Sequence, residues 1–276
     1  MMTWSEALRL APLGVVSEAG TALTPNVEAK AAGQKLFDAS VGELELLQEK
    51  LFAHSTGGGR ESVLLVLQGM DTAGKGGTVK RVMAQMNPQG IVYAAFKKPT
   101  PEELEHDFLW RIRPRVPAPG QIGIFDRSHY EDVLVPAVQH TLGQSALEAR
   151  YEEINAFEQE LVDSGVTLVK VFLHLGKEEQ LARLLSRLDR PEKHWKFTEA
   201  DVRSRGDWAA LQRAYSDALT ATNTDAAPWF VVPADRKWYS SLAVQQLLLE
   251  RMRPLDLTWP PADYDVDEQR RLLLAT

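Results

Sequence analysis

Cysteine is absent from the 276 residues, which excludes disulfides, cysteine-ligated zinc and thiol nucleophiles and fits a reducing compartment. No apolar run approaches the roughly 18 residues of a membrane-spanning helix, and the N-terminus lacks the continuous apolar core of a signal peptide. The chain reads as soluble and cytoplasmic, with no membrane partner. A basic excess is missing too: 31 Lys and Arg stand against 38 Asp and Glu, a net charge of −7. A nucleic-acid partner is therefore not expected, and any polyanion has to meet local basic patches. Internal repeats and low-complexity runs are absent. What is present, 44% hydrophobic and 25% charged residues, suffices for one large core.

Apolar runs at 63–67, 91–96, 121–125, 167–173 and 229–232 alternate with stretches of helical periodicity. This pattern predicts an α/β unit with a parallel, doubly wound, five-stranded sheet. Residues 36–53 carry Leu36, Phe37, Val41, Leu44, Leu47, Leu51 and Phe52 among acids and read as one amphipathic helix. Residues 1–35, rich in Ala, Gly, Thr and Pro, read as a loosely packed N-terminal arm, and 36–276 as the single domain.

The first run leads into Gln68-Gly69-Met70-Asp71-Thr72-Ala73-Gly74-Lys75-Gly76-Gly77-Thr78. Gly69, four intervening residues, Gly74 and Lys75 reproduce G-x-x-x-x-G-K, a turn whose N–H groups converge on an anion at a helix N-terminus. Such a turn can be nothing more than a turn. Here Val79, Val82, Met83 and Met86 follow at helical spacing and supply the strand-turn-helix setting that phosphate binding requires. The Ser or Thr that ordinarily follows the lysine and ligates magnesium is missing. Gly76 stands there, while Asp71 lies inside the loop. A carboxylate repels nearby phosphate unless a cation bridges them, so Asp71 is expected to position magnesium instead. Lys75 meets the phosphates, and Gly69, Met70, Thr72, Ala73, Gly74, Gly76, Gly77 and Thr78 line the cradle.

A second constellation is Ile122-Gly123-Ile124-Phe125-Asp126-Arg127-Ser128-His129-Tyr130-Glu131-Asp132. Carboxyl ends of parallel strands converge beside a phosphate loop, so Asp126 is placed to ligate Mg2+, Glu131 to join it, and Arg127 to balance phosphate charge. The plain alternative is a helix start, with Asp126 or Ser128 as cap and Glu131 and Asp132 favourable to the dipole. His129 reads as a surface or packing group, because a phosphate acceptor is already ionised and needs no base.

The third constellation is cationic. Arg183, Arg187 and Arg190 fall on one helical face, and residues 183–205 hold seven Lys or Arg against four acids. The segment at about 183–210 reads as a lid that closes over substrates and brings charge to the transferring group, rather than as a salt-bridged surface helix. Trp195 and Phe197 within it either stack a base or anchor the closed lid. Arg111, Arg113 and Arg115, with Lys80, Arg81, Lys97 and Lys98, form a possible track for a long phosphate chain, although surface solubility accounts equally for any one of them.

Together, the 69–77 loop with Asp71, the block from Phe125 to Leu134, the block from Pro191 to Phe197 and Ala227-Pro228-Trp229-Phe230-Val231-Val232-Pro233-Ala234-Asp235-Arg236-Lys237-Trp238-Tyr239 resemble the polyphosphate kinase 2 family over roughly residues 36–252. The resemblance implies a thymidylate-kinase-like P-loop kinase fold with a helical lid. It also implies magnesium-assisted phosphoryl transfer between inorganic polyphosphate and ADP, AMP or both, in a homo-oligomer, dimer or tetramer. The His129-Tyr130-Glu131-Asp132 form is similar to the branch that accepts both nucleotides, whereas a related branch has Asn at the place of Asp126. Asp71, Lys75, Asp126 and Arg127 would form the phosphate and metal centre, with Arg183, Arg187, Lys193 and Lys196 serving the lid. Lys80, Arg81 and Arg111 would bind polyphosphate, and Asp235 and Lys237 the base or ribose, although the block after the last strand reads equally as a helix start. An ATP-dependent nucleotide kinase of the same fold is the nearest rival. A guanine-nucleotide switch is disfavoured because Asn223-Thr224-Asp225 lacks the lysine of Asn-Lys-x-Asp.

Overall fold

The computed structural model describes residues 2–11 and 20–276. Its strands are β1 Ser62–Gly69, β2 Ile91–Ala95, β3 Ile122–Asp126, β4 Val166–His174 and β5 Trp229–Pro233, in the sheet order β2-β3-β1-β4-β5. Every neighbouring pair is parallel. The helices are α1 Trp4–Leu8, α2 Lys30–Ala39, α3 Val41–Thr56, α4 Lys75–Met83, α5 Glu131–Gln139, α6 Gln144–Asp163, α7 Lys177–Leu188, α8 Glu199–Gly206, α9 Trp208–Ala221, α10 Lys237–Met252 and α11 Val266–Leu274.

Strand side chains alternate between faces, and the faces of β1 meet different cores. Val63, Leu65 and Leu67 pack in a cluster shared with α3, α4 and α10, whereas Leu64 and Val66 pack in one shared with α5, α6 and α9. Every residue of β1 is buried, so the central strand reads as a continuous apolar run. This double cover leaves the carboxyl ends of β1 and β3 open beside the turn into α4.

Two expectations about the N-terminal region need correction. The helix foreseen over 36–53 is two helices broken at Ser40, whose hydroxyl donates to the Leu36 carbonyl at 2.9 Å and accepts from the buried Gln246 amide at 2.8 Å. A side chain that bonds the backbone in this way competes with the helix. The described part of 1–35 is packed rather than loose. Trp4 and Leu8 are buried, and the Trp4 and Ser5 N–H groups donate to the Glu250 carboxylate at 2.6 and 2.8 Å. Arg9 then bridges Phe230, and the Leu10 N–H donates to the Trp229 carbonyl, covering the edge of β5. A helix this short leaves no periodicity to read. Among the described residues, no helix is long and apolar enough to cross a membrane.

Candidate active site

The turn after β1 takes a conformation that few sequences permit. Gly69 has φ +153°, and a Cβ there would lie 2.9 Å from the Leu173 carbonyl oxygen. Gly74 has φ +109° and leads into α4, and Thr72 adopts φ +67° without being glycine. At Gly76 and Gly77, by contrast, an added Cβ would meet no protein atom within 4 Å. Neither needs glycine for its own packing. Their missing side chains keep open the space before the N–H groups of the first helical turn, where an anion is favoured.

Lys75 and Arg127, the cations beside the loop, are bonded within the protein. Lys75 Nζ donates to the Gly69 carbonyl at 2.6 Å. Burial pulls its ammonium below the ordinary value and Arg127 adds to that, while Asp71, Asp126 and Glu131 oppose it. Arg127, with φ +63°, bridges Asp71 at 3.1 Å and Glu131 at 3.3 Å. Its N–H donates to the Leu67 carbonyl, which fixes the end of β3 against β1. Tyr93 donates to Asp126 Oδ2 at 3.2 Å, and burial together with that carboxylate pushes its phenol up to about 12.

Asp71 and Asp126 both line the large cleft, but Glu131 does not. It faces a smaller pocket of about 110 Å³ with Arg127 and Tyr215. Oriented to satisfy both its ends, the Gln68 amide donates to Glu131 at 3.2 Å and accepts from Ser128. Burial raises the Glu131 carboxyl above its ordinary value against the pull of Arg127 and Lys75. The structure thus pairs Glu131 with Arg127, in a pocket that Asp71 also lines. Among the described residues no group of three His, Asp or Glu stands ready to hold a metal. The two cleft carboxylates fit an ion that keeps waters and takes its remaining oxygens from phosphates, as Mg2+ does.

The cleft has a volume of about 1400 Å³ and is lined by ten Lys or Arg and five Asp or Glu, a positive site in a negative chain. The phosphate loop forms its floor, and α7, a 3₁₀ turn Pro191–Lys196 and α8 form its roof. Lys80, Arg187, Lys193, Lys196 and Lys237 all line it. Burial lowers the Lys237 ammonium, and Arg183 lowers it further. Arg187 donates to the Lys196 carbonyl at 3.0 Å and lies 3.6 Å from Asp201, folding the 3₁₀ turn back on α7. The Lys193 N–H donates to the Arg190 carbonyl at 2.8 Å, whereas its ammonium has no hydrogen bond or ion pair with any described residue.

Four expected ligand contacts turn out to be internal bonds. Arg183 is buried and uses its whole guanidinium on the protein. Nε donates to Glu179 at 2.7 Å, one terminal nitrogen to the Thr72 and Ala73 carbonyls, and the other to those of Ala234 and Asp235. It clamps the phosphate loop to the turn after β5. Asp235 accepts from the Thr21 hydroxyl at 2.7 Å and the Gly176 N–H at 2.8 Å, so both its oxygens are taken. Arg111 is buried against Asp132 at 2.7 Å and the Lys97 carbonyl at 2.8 Å. Arg81 points away from the cleft, bonded to Gln34 and lying over the Phe37 ring at 4.5 Å. Of that second basic track Lys80 alone lines the cleft, and Arg111 and Arg81 are bonded within the protein.

Sequence reasoning missed a buried network behind the second block. Lys170 of β4 donates to Glu158 at 2.6 Å, Tyr130 at 3.1 Å and the Thr222 carbonyl at 2.7 Å. His129 lies fully buried 3.3 Å from Glu158, a packing group as expected. Burial opposes the Glu158 charge, and Lys170 and His129 more than offset it, leaving the carboxyl below its usual range. The signal was available: a lysine amid Thr167-Leu168-Val169-Lys170-Val171-Phe172 demands a buried partner. Because these groups grip Tyr130, they hold the start of α5, and with it Glu131 and Arg127.

Comparison with known proteins identifies the family. The profile of the family described as polyphosphate kinase 2 matches residues 28–257. An AMP/ADP-polyphosphate phosphotransferase of Meiothermus ruber is 45% identical over 217 residues, 79% of this chain and 80% of the relative. An ADP-polyphosphate phosphotransferase of Rhodopseudomonas palustris is 40% identical over 252 residues, 87% of this chain and 86% of the relative. The crystal structure of a polyphosphate kinase 2 from Arthrobacter aurescens superposes with a TM-score of 0.95 at 48% identity, covering 99% of this chain and 97% of that one. The fold is accordingly the P-loop kinase fold. With the phosphate loop, the paired aspartates and the cationic lid all inside the matched span, the chain belongs to the polyphosphate kinase 2 family.

Proposed function

We propose that the chain transfers a terminal phosphoryl group between inorganic polyphosphate and a nucleoside phosphate, accepting both AMP and ADP. The observation that carries this reading is the shape of the charge. One cleft joins the phosphate loop to Lys80, Arg187, Arg190, Lys193, Lys196 and Lys237, more fixed cations than a nucleotide alone needs. The names of the two curated relatives support the same donor and acceptors.

In this mechanism the N–H groups at Gly74, Lys75, Gly76 and Gly77 hold phosphate at the transfer point. Lys75 leaves the Gly69 carbonyl to meet it, and Arg127 turns from Asp71 to the charge that spreads over the transferring group. Mg2+, held by Asp71 and Asp126 together with phosphate oxygens, would supply charge neutralisation between the anions. Glu131 keeps Arg127 oriented throughout. Because Arg183 pins α7 to the floor by bonds from both terminal guanidinium nitrogens, lid closure is carried by the segment beyond Leu188, which brings in Lys193 and Lys196. No covalent enzyme intermediate is required, since the acceptor phosphate is itself the nucleophile. The reaction is placed in the cytoplasm, where both nucleotides are abundant, and the enzyme in a dimer or tetramer.

Incubating the protein with Mg2+, polyphosphate and either ADP or AMP, without ATP, tests this. ATP from ADP and ADP from AMP are expected. Turnover with ATP as the sole donor, and none with polyphosphate, would overturn it.

A further inference from the structure

The cleft is not cationic throughout. Trp195 projects into it with 77% of its surface exposed, the most exposed of the seven tryptophans, and Val135 of α5 lines the same cleft at 40% exposure beside Leu211 of α9. A phosphate chain has no use for an apolar wall. The other half of the proposed substrate does, because a nucleoside carries a flat, weakly hydrated base on the same molecule as the phosphates.

Resting on the phosphotransferase reading above, we propose that Trp195 is the stacking platform for the nucleobase. The indole is already oriented for that task. Its Nε1–H donates to the Glu192 carbonyl at 3.1 Å, which satisfies its one polar group inside the 3₁₀ turn. Lys196 Nζ lies 4.8 Å from the ring centroid, so a cation steadies the ring. A ring held at its edge and by a neighbouring cation loses little freedom when a base settles on it. Every base has a π face, whatever hydrogen-bonding edges it carries. Stacking here therefore grades bases by ring area, purines above pyrimidines, rather than reading their functional groups.

This assigns Trp195 to nucleotide recognition, not to phosphate binding or to anchoring the closed lid. The three roles separate in binding experiments on the full chain with Mg2+ and no polyphosphate. Calorimetry compares ADP with pyrophosphate, a diphosphate without a base, on the wild type, Trp195→Ala and Trp195→Phe. Trp195→Ala is expected to weaken ADP about tenfold while leaving pyrophosphate within about twofold, and Trp195→Phe to recover most of the loss. ADP should also quench indole fluorescence in the wild type and not in Trp195→Phe. Equal weakening of ADP and pyrophosphate would assign Trp195 to the lid itself, and unchanged ADP affinity in Trp195→Ala would remove it from the site; either result overturns the proposal. Because no polyphosphate is present, failure of the chain to use that donor would defeat the functional reading alone and leave this measurement interpretable.

Discussion

The floor and the roof of the cleft hold their cations in different ways. On the floor, Lys75 and Arg127 have protein partners, and Arg183 of α7 ties the near end of the roof to the phosphate loop and the turn after β5. In the roof beyond α7, the Lys193 ammonium has no partner among the described residues, Lys196 rests on an exposed indole, and Arg190 and Arg203 meet only the solvent-exposed Glu192 and Glu199. In the proposed mechanism the floor cations have only to turn from a neighbouring protein partner to phosphate, whereas those beyond α7 are carried in by closure. On that proposal the floor defines where phosphates bind, and the roof determines how fast one moves.

The most severe way to break this division is through the floor's metal position. Asp71→Asn should lower kcat by about 10³-fold or more with the melting temperature unchanged, since the residue is half-buried and its contact with Arg127 is partly solvated. Adding Gly76→Ser should not rescue it, even though no protein atom obstructs the new side chain. Full rescue in a steady-state assay would show that the loop works with a hydroxyl after all.

A smaller effect is expected from the support behind the floor. Glu158→Gln leaves Lys170 buried without its counter-charge and should cost about 3–5 kcal/mol of unfolding free energy, most of it recovered by adding Lys170→Met. The folded Glu158 carboxyl lies below its ordinary value, so its contribution is complete above the unfolded value and is lost as pH falls through the folded one. Denaturant titrations across an acid series should show that limb in the wild type and a shallower one in Glu158→Gln. Next comes Arg183→Lys, which keeps the charge but cannot reach five acceptors and should cost about 2 kcal/mol. The smallest effect separates neighbours on α4: Lys80→Gln should raise the polyphosphate KM by about threefold at low salt, less at high salt, whereas Arg81→Gln should leave it unaltered.

The same two regions explain what could be read without coordinates. The sheet was legible because five apolar runs each exceed what a loop tolerates, and the observed strands agree with them to within two residues at either end. The loop and both aspartates were legible because glycine spacing and a strand ending in acid are local signals. The fate of each arginine was not. Arg183 and Arg187 sit on one helix four residues apart, yet the first is sealed against carbonyls from two distant loops and the second borders the cleft. Helical spacing places side chains on a face but says nothing about which backbone oxygens another segment brings to it. Arg111, Arg81 and Asp235 follow the same rule, each being bonded to a partner remote in sequence.

The division between floor and roof is tested most directly by single-turnover phosphoryl transfer from polyphosphate to ADP in Lys193→Ala, with ADP affinity measured on the same variant. The transfer rate should fall by about 10²-fold while the Kd for ADP stays within about threefold. A normal transfer rate, or a loss of affinity as large as the loss of rate, would contradict the account.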